Sequence, residues 1–378
     1  MRRNLAKILA LSVLIVLVLS ALPVSAASFK ETQRKAQRGD AQAQFELGRM
    51  YQDGDGVKQN YKEAMKWYLK ASQNGVPAAD NNMGIMYEFG QGVTRNPRKA
   101  AELYRKAADK GYATAQGNLG YMYERGSGVD KDYFEAVKWY RKAADQGHIR
   151  GQNSLGDMYY HGYGVKQDYF EAIKWYRKAA DQGSPEGQDN MGLMYANGNG
   201  VKQDYFEAAR WYRMAANQDY ASAQNHLGVL YYDGKGVTKN FAEAVRWYRK
   251  AAENGSAWGQ YNLGTMYEDG EGVKKDYAEA LRWYRKAADQ NLGAAQNKIG
   301  LMYRNGRGVT RNDTEALRWY RLAADNGNHW GQYNVGFMYR NGYGVKQDYD
   351  EAVKWWRKSA QNGNEDAQSA LRDLGLSW

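Results

Sequence analysis

The chain has 378 residues, and 53 Lys and Arg against 42 Asp and Glu give it a formal charge of +11. Hydrophobic residues make up 43% of it, enough for a core, and the lack of any cysteine excludes disulfide staples, thiol nucleophiles and Cys-ligated zinc. Length alone suggests two or three domains, but an internal period overrides that expectation.

The N-terminus does not carry the period. Arg2, Arg3 and Lys7 form a basic stretch, Ile8 to Leu22 an apolar run, and Val24-Ser25-Ala26 a small-residue cleavage pattern. A membrane-spanning helix needs about 20 apolar residues, and this run is shorter, so residues 1–26 read as a cleaved signal peptide. No cysteine follows the run, which excludes a lipid-anchored product. Cleavage lowers the formal charge by three, to +8. The remaining excess is spread through the repeats, as at Arg141 and Lys142, and reads as a solvated helix face. Its functional alternative is attraction to an anionic envelope polymer. The expected destination is export, with the periplasm favoured over full secretion; neither nucleic acid nor membrane is expected as a partner of the mature chain.

Residues 27–40 precede the first full unit. Phe29 to Arg38 runs into Gly39 in the register of a second helix, so this segment is expected to be a capping half-repeat. From there Gly-x-Gly-Val recurs without insertion or deletion: Gly54, Gly90, Gly126 and their successors to Gly342 lie 36 residues apart. A fixed period of this length marks a repeat array of stacked supersecondary units. Nine copies cover residues 41–364, and the array with its caps is expected to form one elongated body.

The copy from Ala113 to His148 shows the local logic. Leu119, Met122 and Tyr123 fit helical spacing from Ala113 to Arg125. Gly126-Ser127-Gly128-Val129 ends that helix, since Gly takes positive φ without steric cost. Asp132 then reads as an N-cap and Glu135, three residues on, as the other half of a capping box. Every copy has Asp or Asn at the cap position, from Asn60 to Asp348. A second helix from Tyr133 to Gln146 carries Tyr133, Ala136, Tyr140 and Ala143 as its apolar stripe, with Trp139 flanking it. Gly147 stops it; Asp219 and Asn291 at the same position also tolerate the left-handed conformation. Residues 365–378 begin a tenth first helix through Ala367, Gln368 and Leu371, then depart at Arg372 and Gly375, which suits a terminal cap. The fold class is therefore all-α, an α/α superhelical solenoid of nine 36-residue helix-turn-helix repeats with half-repeat caps at both ends.

The pattern resembles the Sel-1-like repeat family, a branch of the tetratricopeptide-type α/α solenoids. Ala115, Leu119-Gly120, Tyr123, Gly126-x-Gly128-Val129, Asp132, Ala136, Trp139-Tyr140, Ala143-Ala144 and Gly147 carry the resemblance. It implies a right-handed superhelix used as a protein-interaction adaptor. It also implies a bacterial relative of proteins that act in envelope signalling, exopolysaccharide control or host contact. Some cysteine-rich relatives have been described as penicillin-binding or β-lactamase-like; this chain lacks every such cysteine, so that hydrolase activity is not carried over.

Comparison among the repeats separates scaffold from freedom. Positions equivalent to Thr114, Gly117, Tyr121 and Glu124 vary most and share one face of the first helix, the face expected to be concave and to carry specificity. The seventh repeat places Trp258 and Tyr261 there, and the ninth Trp330, Tyr333 and Phe337. Between them the eighth offers the smaller Ala294 and Asn297 with Leu301, so a cleft with aromatic walls is expected. The bland alternative is that both indoles pack against neighbouring repeats. The nine Trp of the second helices, eight at one recurrent position and Trp356 in place of a Tyr, read as core. Tyr160, Tyr163, Tyr232 and Tyr343 with Arg304, Arg307 and Arg340 are candidates for a basic aromatic rim.

Signatures of chemistry are lacking. Ser-x-x-Lys, Gly-x-Ser-x-Gly, His-Glu-x-x-His and phosphate-loop patterns do not occur. His148, His161, His226 and His329 occupy four different repeat positions, against a metal site. Asp53-Gly54-Asp55-Gly56 lacks the ligand set of a calcium loop. Asn254 and Asn312 fall in glycosylation sequons but suit structural roles. No cofactor or metal is expected. The reading is an exported scaffold, not an enzyme, that binds a protein or peptide through Trp258, Tyr261, Leu301, Trp330, Tyr333, Phe337, Arg304 and Arg340. The alternative is an envelope-structural protein that binds peptidoglycan or another anionic polysaccharide.

Overall fold

The computed structural model describes residues 28–378, so the proposed signal peptide lies outside the described residues. Twenty helices and no strand occur among the described residues: one over 28–37 and nineteen from Ala41–Asp53 to Glu365–Asp373. The chain is an all-α solenoid in which each repeat contributes a pair such as Ala113–Arg125 and Tyr133–Asp145. Contacts divide it at Gln182 and Gly183 into two compact units, where the sequence suggests a single body. No helix of the described residues is long and apolar enough to cross a membrane.

Each hairpin closes on a ring laid against a glycine. Leu119, Tyr140 and Ala143 are fully buried, and a Cβ on Gly120 would stand 2.6 Å from Tyr140 Cδ1. The apolar-Gly pair that recurs in the sequence is thus set by ring contact: only a residue without a side chain lets Tyr140 lie flat on the first helix. The loop that follows is fixed by the neighbouring repeat. A Cβ on Gly128 would lie 2.2 Å from the Pro97 carbonyl oxygen, and Val129 packs on the cluster of Ala100 and Tyr104 from the preceding repeat.

Helix ends follow the predicted chemistry with one exception. Gly126 has φ 67° and donates to the Met122 carbonyl, while Asp219 and Asn291 take φ of 58° and 62°. Asp132 Oδ1 accepts from the N–H groups of Phe134 and Glu135 at 2.9 and 3.1 Å. The reciprocal half of the capping box is not made, because the Asp132 N–H donates to the Tyr123 carbonyl at 3.0 Å. Glu135 turns instead to the Trp139 indole N–H at 3.1 Å and to Lys138 at 2.9 Å. An exposed i,i+3 pair of this kind contributes little; the bond to the indole orients a buried ring.

A buried glutamine, not singled out by sequence, joins successive helices. Gln116 Nε2 donates to the Ala108 carbonyl at 3.1 Å, and its Oε1 accepts from Gln146 at 2.7 Å. In the second repeat this position is Asp80, fully buried. Ser72 and Lys106 compensate, reaching Asp80 Oδ1 at 2.5 and 2.9 Å. Among the recurrent tryptophans, Trp139, Trp175, Trp247 and Trp283 are buried, as is Trp356. Trp67, Trp211, Trp319 and Trp355 are half-buried, so the expected core role holds fully for five of nine.

In an open helix Ala is favoured over Gly by about 1 kcal/mol. Gly120→Ala is expected instead to destabilise by about 1–3 kcal/mol through overpacking against Tyr140, read as a lowered urea midpoint; a gain would show that the ring contact does not constrain the hairpin. A second expectation concerns His148, which caps its helix by accepting from the Gly151 N–H through Nδ1 at 3.1 Å. Burial, helped by Arg150, lowers its pKa from 6.5. The folded state therefore prefers the neutral ring, and the unfolded chain takes up the proton first as pH falls. Stability should drop as pH descends through 6.5 and level off below the folded value. His148→Ser, which installs the cap residue found at Ser184 and Ser256, should flatten that dependence in thermal melts at neutral and mildly acidic pH.

Candidate partner-binding cleft

The site is built on three first helices of the second unit: Ala257–Asp269, Gly293–Asn305 and His329–Asn341. Side-chain caps from Ser256 and Asn328, accepting from Gly259 and Gly331 at 3.1 and 2.8 Å, fix the first turns of the two outer helices. Trp258 and Trp330 stand on those turns with 53% and 44% of their surface exposed, against 2% for the scaffold Trp139. Neither is buried as the scaffold Trp139 is.

Both indoles are held in the same way. Trp258 meets Tyr261 edge-on, centroids 5.7 Å apart, and Tyr261 leans on the buried Tyr284 at 5.7 Å. Trp330 meets Tyr333 edge-on at 6.3 Å, and Tyr333 stacks on the buried Trp356 at 6.4 Å. Edge-to-face contacts of this range are favourable beyond their buried area. Each exposed indole is therefore anchored through a half-buried tyrosine to its own repeat's core.

A cavity of about 390 Å³ opens between the two arrangements. Tyr261 forms one wall, and Trp330 and Tyr333 the other. The floor is Ala294, Asn297, Lys298 and Leu301, where the small Ala294 leaves the space that tryptophan fills in the flanking repeats. Asn334 donates to Asn297 across the cavity edge at 2.8 Å. Lys298 is neutralised by the buried Glu268 at 2.9 Å, which also accepts from Tyr284 at 2.7 Å and Arg307 at 3.3 Å. Burial alone would raise the Glu268 pKa, but the bonds from Lys298 and Tyr284 outweigh it and hold the carboxyl below its usual range. The cleft thus offers aromatic faces and carboxamides over a paired charge.

Not every expected site residue belongs to it. Tyr261, Leu301, Trp330 and Tyr333 line the cavity, whereas Trp258 stands beside it through Tyr261. Phe337 lies under the Arg304 guanidinium at 4.3 Å and near Tyr343 at 6.0 Å, a separate cluster. Arg340 sits 5.6 Å over Trp356 and does not line the cavity. In four repeats this position holds an acceptor for the tyrosine hydroxyl, as Glu124 does for Tyr140 at 2.6 Å. Trp356 has no hydroxyl to donate, and Arg340 lies over its ring as a cation–π contact; Arg304 holds the same position in the eighth repeat, where the tyrosine is kept as Tyr320.

Of the residues expected in a rim, Arg304 and Tyr343 meet at 5.9 Å, while others have partners of their own. Arg307 turns to Glu268 and Tyr277, and Tyr232 packs on Phe241 at 5.3 Å. In the first unit Tyr163 is sandwiched between Tyr133 at 4.8 Å and His161 at 5.2 Å. The variable face also needs correction: Gly117 is buried and a Cβ there would meet His148 at 2.9 Å, so one of its four positions serves packing. Sequence reasoning missed Lys298, Asn328 and Asn334. Lys298 had a signal, because it is the one Lys or Arg in a series that is mostly Asn, as at Asn118, Asn190 and Asn262.

His226 Nδ1 lies 2.8 Å from Asp189 Oδ1, but the pair occupies the positions at which Asn262 donates to Asn225 at 2.8 Å. It is a rung between repeats. Among the described residues no group of three or more His, Cys, Asp or Glu converges as metal ligands.

The Sel1 repeat model matches nine consecutive segments, from 41–76 to 331–364. A protective antigen of uropathogenic Escherichia coli strains that displays an SLR fold is 32% identical, covering 92% of this chain and 90% of that one, with a TM-score of 0.54. A Sel1 repeat protein from Oxalobacter formigenes is 30% identical, covering 91% and 89%, with a TM-score of 0.52. A Pyrococcus horikoshii signal-transduction ATPase with a tetratricopeptide repeat sensor shares the fold alone, at 13% identity and a TM-score of 0.52 over 88% of this chain and 54% of its own. No curated protein matches. Nine matched segments and two relatives aligned along most of their length establish that the chain belongs to the Sel1 repeat family.

Proposed function

We propose that this protein is an exported scaffold that captures a protein or peptide in the cleft between its seventh and ninth repeats. Sel1 repeat arrays commonly mediate protein–protein contact. The observation that carries the site is the pair of exposed indoles, Trp258 and Trp330, each backed by a tyrosine anchored in the core. Exposed, preorganised aromatic side chains beside a recess are where binding energy concentrates. Residues 1–26 serve as the signal for export, with the periplasm as destination, and the helices at 28–37 and Glu365–Asp373 cap the array. The mechanism is complementarity: Ala294 makes room, Tyr261 and Tyr333 set the walls, and Lys298 is already neutralised, so an apolar or aromatic side chain enters without meeting an unpaired charge.

A second reading rests on the same geometry, because aromatic walls and the carboxamides of Asn297, Asn328 and Asn334 also suit a sugar ring. The tests separate the two. The double variant Trp258→Ala with Trp330→Ala should lose at least about tenfold in partner capture from native envelope extract and keep its thermal melt, since both indoles are exposed. Unchanged capture sinks the cleft. A polysaccharide binder would instead sediment with purified cell wall at low salt and be released as salt rises.

A further inference from the structure

The next-to-last residue of each first helix changes character along the chain. It is Gln52, Glu88 and Glu124 in the first three repeats and Glu268 in the seventh, but Arg304 and Arg340 in the eighth and ninth. The hairpin does not require arginine there, since the acceptors at this position take the scaffold tyrosine's hydroxyl. Two cations therefore stand one repeat apart, within the second unit and beside the cleft, where the other repeats carry neutral or negative side chains.

Both continue the walls of the cleft along its helices. Arg304 lies one turn beyond Leu301, and Phe337 one turn beyond Tyr333, on the same helix faces. Arg304 stacks on Phe337 at 4.3 Å, and Arg340 lies 5.6 Å over Trp356. Stacking covers one face of a guanidinium and leaves its planar N–H edge open, which suits a carboxylate.

The protein supplies no such carboxylate. Among the described residues neither arginine forms an ion pair, whereas Arg307 of the same region is held by Glu268 at 3.3 Å. Neighbouring acids are engaged elsewhere: Glu268 also by Lys298, Glu271 by the Tyr232 hydroxyl, and Asp313 by Arg311. Asp269 interacts with Lys298 and Lys275. Burial and Asp366 raise the pKa of the Tyr333 hydroxyl, while Arg340 and Arg304 draw it back, so both guanidinium groups act on one hydroxyl of the cleft wall. Asp366 stands at the opposite end, in the first turn of its helix and at the register position of Trp330. An acid is thus repelled from the first-turn end of the cleft and drawn to the last-turn end.

We propose that Arg304 and Arg340 form a subsite for an acidic side chain of the bound peptide, beside the anchor that fills the cleft. The proposal rests on the peptide reading of that cleft. Spacing defines the motif. Asn297 on the cavity floor and Arg304 are seven helical residues apart, about 10 Å along the axis. An extended peptide covers that distance in about three residues.

Two amidated heptapeptides with a neutral N-terminal fluorophore test the subsite by anisotropy. Each has a central tryptophan, with glutamate in one and glutamine in the other at both ends, so chain direction is immaterial. The wild type should bind the glutamate peptide at least about fivefold more tightly, the margin narrowing as salt rises. Arg304→Gln with Arg340→Gln, which installs the residue found at Gln52, should keep its melt and bind the two peptides alike. Arg304→Glu with Arg340→Glu should favour the glutamine peptide. Trp258→Ala with Trp330→Ala should weaken both. If the wild type binds neither peptide, the cleft reading and the subsite fall together. Equal binding of both by the wild type, or a preference that survives in the glutamine variant, overturns the acidic subsite and leaves the cleft standing.

Discussion

The contact of a tyrosine ring on a bare helix face organises the rest of this structure. Tyr140 on Gly120, and its counterparts such as Tyr284 on Gly264, bring the two helices of a hairpin closer than any side chain at the glycine would permit. That approach places Ala143 and Leu119 in full burial and points the hydroxyl toward the first helix's last turn, where Glu124 or Glu268 accepts it. Burial, together with those carboxylates, raises the Tyr140 and Tyr284 hydroxyls well above their ordinary pKa, so they remain donors. A position that varies in sequence is thereby bound to one that does not.

This coupling marks the limit of what sequence could disclose. The repeat, the Asp or Asn caps, the glycine stops and the left-handed Asp219 and Asn291 were all legible, since each depends on backbone geometry that recurs every 36 residues. The capping box was not, because the N–H it requires is taken by Tyr123 in a loop contact with no sequence signature. Variability was a fair guide to Trp258 and Trp330, which stand in solvent. It did not separate out Arg340, which lies over the buried Trp356 and outside the cavity lining. Lys298 and Glu268, thirty residues apart, meet only once the helices are stacked.

One substitution inside the array arrives together with its partner. Asp80 in place of a glutamine comes with Ser72 in place of the usual alanine, and the recurrent lysine, here Lys106, supplies the charge. Trp258 of the seventh repeat differs: through Tyr261 it rests on Tyr284, the ordinary scaffold tyrosine, so no change of that scaffold residue accompanies it. Departures that relieve no strain are the ones to connect with recognition, because nothing in the packing demands them.

The seating of Gly128 against the Pro97 carbonyl also bears on how such a chain changes over generations. A loop wedged onto the unit before it tolerates neither one residue more nor one fewer, whereas a complete unit can be gained or lost with every wedge intact. Val165–Ala172 recurs letter for letter at Val201–Ala208, offering recombination a homologous foothold one unit away. Length variation in this lineage should therefore come in whole repeats, shifting the distance between surface features in discrete steps.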